Sequence, residues 1–235
     1  MSLLTVGMKG KRRFLFDSSL ALYLPLWHPE LKDSTIISKD LNAHSCTVTD
    51  ATWGIQGRTL DGVDDKISCP DSPVYDLTSN ILTIIGWVNP TSDTTAYAGL
   101  VSNQDTDKVG GFLLDRNNES TTQYRFAYGR TTGWNIALRV GGGDYALTLT
   151  NGVWQQFAIT WSGAVVLGYI NGSLQNTCSI GTQAFTNGDK TMNIGSSPIA
   201  GRPWKGIFGE VLIYKSLFSA SAVSNYCQVT KWRYS

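Results

Sequence analysis

The chain reads as an all-β protein, a two-sheet antiparallel β-sandwich, on three observations. Strand-like segments recur every roughly 8–15 residues between turn residues, the spacing of sandwiches and barrels. Within several of them, apolar and polar residues alternate with the period of two that a half-buried strand requires. The composition also fits: 235 residues, 42% hydrophobic and 16% charged, with 24 Gly, 8 Trp, 10 Tyr and 8 Phe. One sandwich of about 200–250 residues can hold such a chain as a single unit. A domain of that size buries enough apolar surface to fold without disulfides or metal. No apolar run approaches the ~18 residues of a membrane span.

The elements follow in order. Residues 20–26, LALYLPL, form a first strand, and GRTLDGVDDKISCP at 57–70 reads as one long strand. ILTIIGWVNP at 81–90 closes on Asn-Pro, a turn initiator. Strands are expected at 99–103, 111–115, 123–129 and 134–140. In 123–129, alternation puts Tyr124, Phe126 and Tyr128 on one face. YALTLT at 145–150 runs into Asn151-Gly152, and VWQQFAITW at 153–161 carries Phe157, Ile159 and Trp161 on one side. Ser162-Gly163 leads into AVVLGYI at 164–170, which Asn171-Gly172 turns into SLQNTCSI at 173–180. Asn-Gly between alternating strands signals a hairpin, because both residues tolerate positive φ. Gly141-Gly142-Gly143 reads as a hairpin tip. The last strands are 190–195 and 205–214. One segment, LFSASAVSNYC at 217–227, is helical in pattern, with Ser219 as its N-cap. No repeat or linker divides the chain. The expected organisation is a basic arm at 1–17, one domain at 18–230 and a tail at 231–235.

The net charge of +1 argues against a general nucleic-acid binder. It conceals an asymmetry: Lys9, Lys11, Arg12 and Arg13 lie within the first thirteen residues, which hold no acid, while residues 14–230 hold 13 basic and 18 acidic residues, a net of −5. An arm of this charge, with Phe14 and Phe16 beside it, suits docking on an acidic neighbour. The first residues place a short apolar stretch before the charges, the reverse of a secretory leader. Cys46, Cys69, Cys178 and Cys227 are far apart and read as buried thiols, with one or two disulfides open among three possible pairings.

Four segments carry a family resemblance. They are GRTLDGVDDKISCP at 57–70, LTIIGWVNP at 82–90, VWQQFAITWSGAVVLGYINGSL at 153–174, and NIGSS at 193–197 with WKGIFGEVLIYKSLFSASAV at 204–223. Together they resemble the laminin-G-like jelly-roll branch of the concanavalin A-like lectin/glucanase superfamily. The resemblance implies a jelly-roll sandwich over about 20–228. It is specific for fold and weak for function, because such a fold hosts many functions. Physically, Gly62 allows a sharp turn within the first segment, and Trp87, Trp154 and Trp161 are expected to fill the interior. Two departures stand out. Relatives that hold a structural calcium carry Asp-Glu before the final strand, where this chain has Gly209-Glu210; losing a charged ligand weakens such a site, and Asp61, Asp64, Asp65 and Glu210 are the set that could still gather a calcium. Glycosidases of this fold resemble a Glu-x-Asp-x-x-Glu strand that aims two carboxyls at one bond. This chain has only Glu30, Glu119 and Glu210, widely separated, so an enzyme is not expected.

What remains is a non-catalytic structural or interaction protein. The first expectation is a self-assembling component, a capsid decoration or fibre module of a virion, acting with copies of itself or other virion and surface proteins through the arm. The alternative is a lectin-like module for glycans. Its candidate residues are Trp134, Tyr97, Arg130 and Asn135, at or beside loops where binding residues concentrate, with Trp204 weaker. A virion or an extracellular surface is the expected location, with no specific nucleic-acid partner.

Overall fold

Asn171-Gly172 behaves as its sequence requires. The two residues take φ of +52° and +79°, and the flanking strands pair Ile170 with Ser173 and Tyr169 with Leu174. That is a two-residue hairpin of the type whose twist matches the strands. The computed structural model describes residues 17–77, 79–92, 95–104, 110–118, 120–130, 133–181, 185–188, 191–197 and 202–235. Lys9, Lys11, Arg12, Arg13, Phe14 and Phe16 of the arm lie outside the described residues.

In chain order the strands are β1 (Leu20–Leu24), β2 (Thr35–Ile37), β3 (Ser45–Thr49), β4 (Thr52–Gly54), β5 (Gly57–Asp61), β6 (Lys66–Cys69), β7 (Ile81–Pro90), β8 (Gly99–Ser102) and β9 (Phe112–Arg116). They continue with β10 (Gln123–Arg130), β11 (Gly133–Ile136), β12 (Leu138–Arg139), β13 (Leu147–Thr148), β14 (Gln155–Ser162), β15 (Val165–Ile170), β16 (Ser173–Ser179), β17 (Met192–Ile194) and β18 (Lys205–Tyr214). One helix, α1 (Ala220–Thr230), follows, capped by the Ser219 hydroxyl accepting from the Ala222 N–H. The first sheet runs β12-β16-β15-β14-β7-β18-β5-β4, with β1 also on β18; the second runs β11-β10-β9-β8-β17-β6-β3-β2, with β13 also on β10. All these pairings are antiparallel. The architecture is the two-sheet jelly roll with a short C-terminal helix that the sequence predicts.

The main core lies between the sheets. Tyr124, Phe126 and Tyr128 meet Phe157, Ile159 and Trp161 there, all buried, with Tyr128 stacked on Trp161 at 4.7 Å. A second apolar cluster lies on the outward face of the first sheet. Ile85, Trp87, Ala158, Leu212 and Tyr214 pack there against Val223, Tyr226 and Cys227 of α1 and against Tyr234. This explains why 81–90 reads as an unbroken apolar run, since both faces of β7 are covered. It also corrects the placement of two tryptophans. Trp161 is in the interior, but Trp87 and Trp154 belong to the layer under the helix.

Four stretches expected to stay in one sheet instead cross between sheets; the expected strand at 134–140 splits into β11 of the second sheet and β12 of the first. Residues 57–70 split into β5 in the first sheet and β6 in the second. Gly62, at φ +82°, supplies the turn, and the Asp65 carboxylate accepts the Asp61 N–H while that of Asp61 accepts the Val63 N–H. Gly141, Gly142 and Gly143, all at positive φ, are no hairpin tip; they follow β12 in the first sheet and precede β13 in the second. Asn151-Gly152 likewise joins strands of different sheets. A period of two cannot report such a crossing, because alternation continues in either sheet. β2, β3 and β4, where the sequence marks no strand, are short and near sheet edges.

Cys46 and Cys69 are bridged, and Cys178 and Cys227 are buried thiols. The bridge ties β3 to β6 on the inner face. Arg58 is nearly fully buried, and its guanidinium donates to the carbonyls of Ala51, Leu31 and Asp33 at 2.6–2.7 Å. This clamp holds the irregular segments around 31–33 and 51 on β5.

Candidate polar site on the second sheet

The second sheet carries a polar cluster on its outward side. Arg125 of β10 stands directly opposite Asp115 of β9, because alternation puts both away from the core-facing Tyr124, Phe126 and Leu114. The guanidinium grips the carboxylate with two bonds, 3.0 Å from Nε and 2.7 Å from Nη2. Asp144 lies 3.8 Å from Arg125 and accepts from the Asn117 amide at 2.7 Å. Burial pushes the Asp115 carboxyl up to about 6, although the hydrogen bond and charge of Arg125 pull it down. Burial also opposes the Arg125 charge, but Asp115, Asp144 and Tyr97 outweigh it and hold its pKa above the ordinary arginine value. At neutral pH both members of the pair are charged.

A loop brings an aromatic ring to this pair. Arg116 donates to the carbonyls of Thr95 and Ser120, and its backbone N–H donates to Ala98. These bonds fix 95–98, where Tyr97 takes the left-handed φ of +60°. The Arg125 guanidinium lies over the Tyr97 ring, 4.5 Å from its centre, and that of Arg202 at 4.8 Å. Arg202 is placed by its own carbonyl, which accepts from the N–H groups of Gly99 and Ser197. Gly99 has to be glycine here, since a Cβ would overlap the backbone of Ser196 and Ser197. The result is a half-exposed aromatic ring with two guanidinium groups, on a base of buried ion-paired strand residues.

Asp115 makes stability depend on pH. The folded chain takes up this proton near pH 6 and the unfolded chain near about 4, so the folded state binds more protons between the two. This group therefore lowers stability as pH rises from about 4 to about 6, by about 2–3 kcal/mol, and adds no slope above that window. In urea titrations, the stability of the wild type relative to Asp115→Asn should fall by that amount between pH 4 and pH 7. A constant difference would refute the assignment.

A family model described as the concanavalin A-like lectin/glucanases superfamily matches residues 61–224. The chain belongs to that superfamily. Curated protein sequences give no match. Among solved structures, the fold of this superfamily member is similar to domain 4 of AbnA, an extracellular arabinanase from Geobacillus stearothermophilus solved with arabinotriose (TM-score 0.62, 19% identity, 89% of this chain and 98% of that one). It is also similar to the binding domain of botulinum neurotoxin serotype D (TM-score 0.67, 16% identity, 91% of this chain and 52% of that one) and to Trypanosoma rangeli sialidase (TM-score 0.66, 12% identity, 92% and 34%). The chain thus spans about half of the neurotoxin binding domain and a third of the sialidase. At these identities the likeness is one of fold, a concanavalin A-like sandwich.

Within this superfamily fold, the expected site residues separate. Tyr97 lies in the polar cluster. Arg130, Trp134 and Asn135 sit on the adjoining β10–β11 hairpin, Trp134 pairing with Gly129 and Asn135 with Tyr128 through the backbone; their side chains lie outside the described ones. Trp204 is a correction. It is a core residue, its Nε1 donating to the Tyr124 hydroxyl at 2.8 Å, with Phe208 against its ring. Arg125, Asp115 and Arg202 were missed by the sequence reading. The signal for Arg125 was its polar place in the 123–129 alternation; nothing local marked Arg202.

The calcium set is also corrected. Ligand atoms of Asp61, Asp64 and Asp65 lie within 4.8 Å of one another, but Asp61 and Asp65 already accept backbone N–H groups. Glu210 is five residues up β18 from Lys205, the cross-strand partner of Asp61, roughly 15 Å along the strand. It is fully buried, bonded to Tyr226, Trp27, Tyr23 and Arg233. The expected set of four is therefore three, Asp61, Asp64 and Asp65, without Glu210. Gly209, where calcium-holding relatives have Asp, has no room for a side chain, because the Tyr234 ring occupies the space.

Proposed function

We propose that this domain is a non-catalytic carbohydrate-binding module that uses the outward side of its second sheet. The observation that carries this reading is the cluster of Tyr97, Arg125 and Arg202, positioned before any ligand arrives by Arg116, Asp115 and backbone bonds. Fixed aromatic and polar groups are what a sugar site needs, and preorganisation limits the entropy lost on binding. The outward side of the first sheet is a poorer choice, since α1 and Tyr234 cover much of it. The arabinanase domain, of similar size and solved with arabinotriose, supports the reading by analogy of fold. The carboxylates also favour binding over hydrolysis: Asp115 is buried against Arg125, Asp144 is held by Asn117, and Glu210 is enclosed by Tyr, Trp and Arg. A glycosidase needs two such groups facing one bond. Affinity electrophoresis through plant, bacterial and animal polysaccharides tests this. At least one should retard the wild type, and Tyr97→Ala should abolish most of that retardation without altering the melting curve. Unretarded migration in all of them would overturn the proposal.

The charge pattern favours a second reading, self-assembly of a virion-type component through the arm. Deleting residues 1–13 should then convert oligomers to monomers in size-exclusion chromatography with light scattering, and an unchanged mass would sink it.

A further inference from the structure

We infer that the cluster of Tyr97, Arg125 and Arg202 selects acidic sugars, and that Arg202 is the group that grips their carboxylate. This rests on the carbohydrate-binding reading and adds the ligand class.

The argument starts from charge. Among the described residues, three guanidinium groups converge here, Arg116, Arg125 and Arg202, against two carboxylates, Asp115 and Asp144. Arg116 is spent on carbonyls and Arg125 on Asp115 and Asp144. Among the described residues no carboxylate pairs with Arg202; its guanidinium has the Tyr97 ring. Both Arg125 and Arg202 lie within 5 Å of that ring's centre, so one ring carries two positive charges. A local positive excess favours a further anion beside it. The excess is local, because residues 14–230 carry 13 basic against 18 acidic residues.

Geometry narrows the anion. Arg202 is half-buried, and its planar fork matches a carboxylate with two parallel bonds. Its position is built in, since its carbonyl is bonded to Gly99, and Tyr97 is held at a left-handed backbone angle that a non-glycine residue adopts at some cost. A sugar bearing a carboxylate would meet Arg202 with the acid while its hydroxyls reach the Tyr97 hydroxyl and Asp144. A neutral sugar would offer the Arg202 fork no carboxylate.

Isothermal titration with defined probes tests this: oligogalacturonate and sialyllactose as carboxylated sugars, methyl-esterified oligogalacturonate and lactose as their neutral counterparts, and a heparin tetrasaccharide as the sulfated one. At least one carboxylated probe should bind tenfold or more tighter than its neutral counterpart, with affinity falling as salt rises. Arg202→Gln should remove that preference and leave the melting curve unchanged, and Arg202→Lys should recover only part of it, because lysine keeps the charge and loses the fork. Equal binding of acidic and neutral probes, an acid preference that survives Arg202→Gln, or binding of the sulfated probe alone would each overturn the inference while leaving carbohydrate binding intact. No binding of any sugar, here or in affinity electrophoresis, would remove the underlying reading as well.

Discussion

Replacing Glu210 with alanine should lower the melting temperature by about 6–20 °C. The carboxylate is fully buried and accepts from the Tyr226 hydroxyl at 2.6 Å, Trp27 Nε1 at 3.2 Å and the Tyr23 hydroxyl at 3.4 Å, with Arg233 at 3.3 Å. Burial, with the Glu210 charge added to it, holds the Tyr23 and Tyr226 hydroxyls well above their usual pKa, so both remain protonated donors. Removing the acceptor takes the carboxylate away from a largely buried guanidinium and from the Tyr226, Trp27 and Tyr23 donors. Breaking a buried pair in this way costs about 3–5 kcal/mol, and each kcal/mol is worth about 2–4 °C in a domain of this size. The C-terminal layer should loosen most. α1 is held by Tyr226 on Glu210 and by Trp87 donating to Thr230 at 2.8 Å, and Tyr234 stacks on Trp87. Tryptophan fluorescence should therefore shift, and protease should cut near the C-terminus first. Glu210→Gln, which keeps shape and part of the bonding, should fall between. A loss below about 1 kcal/mol for the alanine variant would show that water replaces the carboxylate at no great cost.

Gly57→Ala should cost about 4 kcal/mol or more and yield little folded protein. Gly57 has φ of +147°, and a Cβ there would overlap the Phe208 carbonyl and crowd the Gly209 Cα. Both obstacles are backbone of β18, which pairs with β5 through Phe208–Arg58 and neighbouring positions. Neither can move without opening the sheet, and Arg58 would lose its carbonyl clamp as the strand shifted. Gly163→Ala is the control. It too has positive φ, +78°, but nothing lies within 4 Å of its added Cβ, so its cost should be near 1 kcal/mol. Similar melting curves for the two variants would remove steric exclusion as the explanation.

These glycines show where legibility stopped. Gly57 was visible as the first letter of a family pattern, but its reason is a strand about 150 residues later in the chain. Gly209 looked like a missing ligand, whereas it is the space that Tyr234 fills. Glu210 looked like a calcium ligand and proved to be the centre of a tyrosine, tryptophan and arginine cage. In each case the deciding neighbour is distant in sequence. The Asn171-Gly172 hairpin, the Ser219 cap and the inward faces of β10 and β14 were legible, because their causes lie within a few residues. The polar site was legible in one residue of three. Tyr97 lies in a loop where a ring can be suspected, but Arg125 became a site residue only when β9 placed Asp115 opposite it, and Arg202 only when its carbonyl met Gly99.

The sequence alone determined the class of fold, because alternation, turn chemistry and helix capping are local consequences of backbone sterics and side-chain reach. It also determined the superfamily, through motifs that record those local needs together. The tertiary structure decided which sheet each strand joins, since alternation looks the same in either sheet. It decided which tryptophans are interior, since the helix makes a second buried face. It decided that Arg125 and Arg202 share one aromatic ring, since only the closing of strands from distant parts of the chain brings those charges within reach of each other.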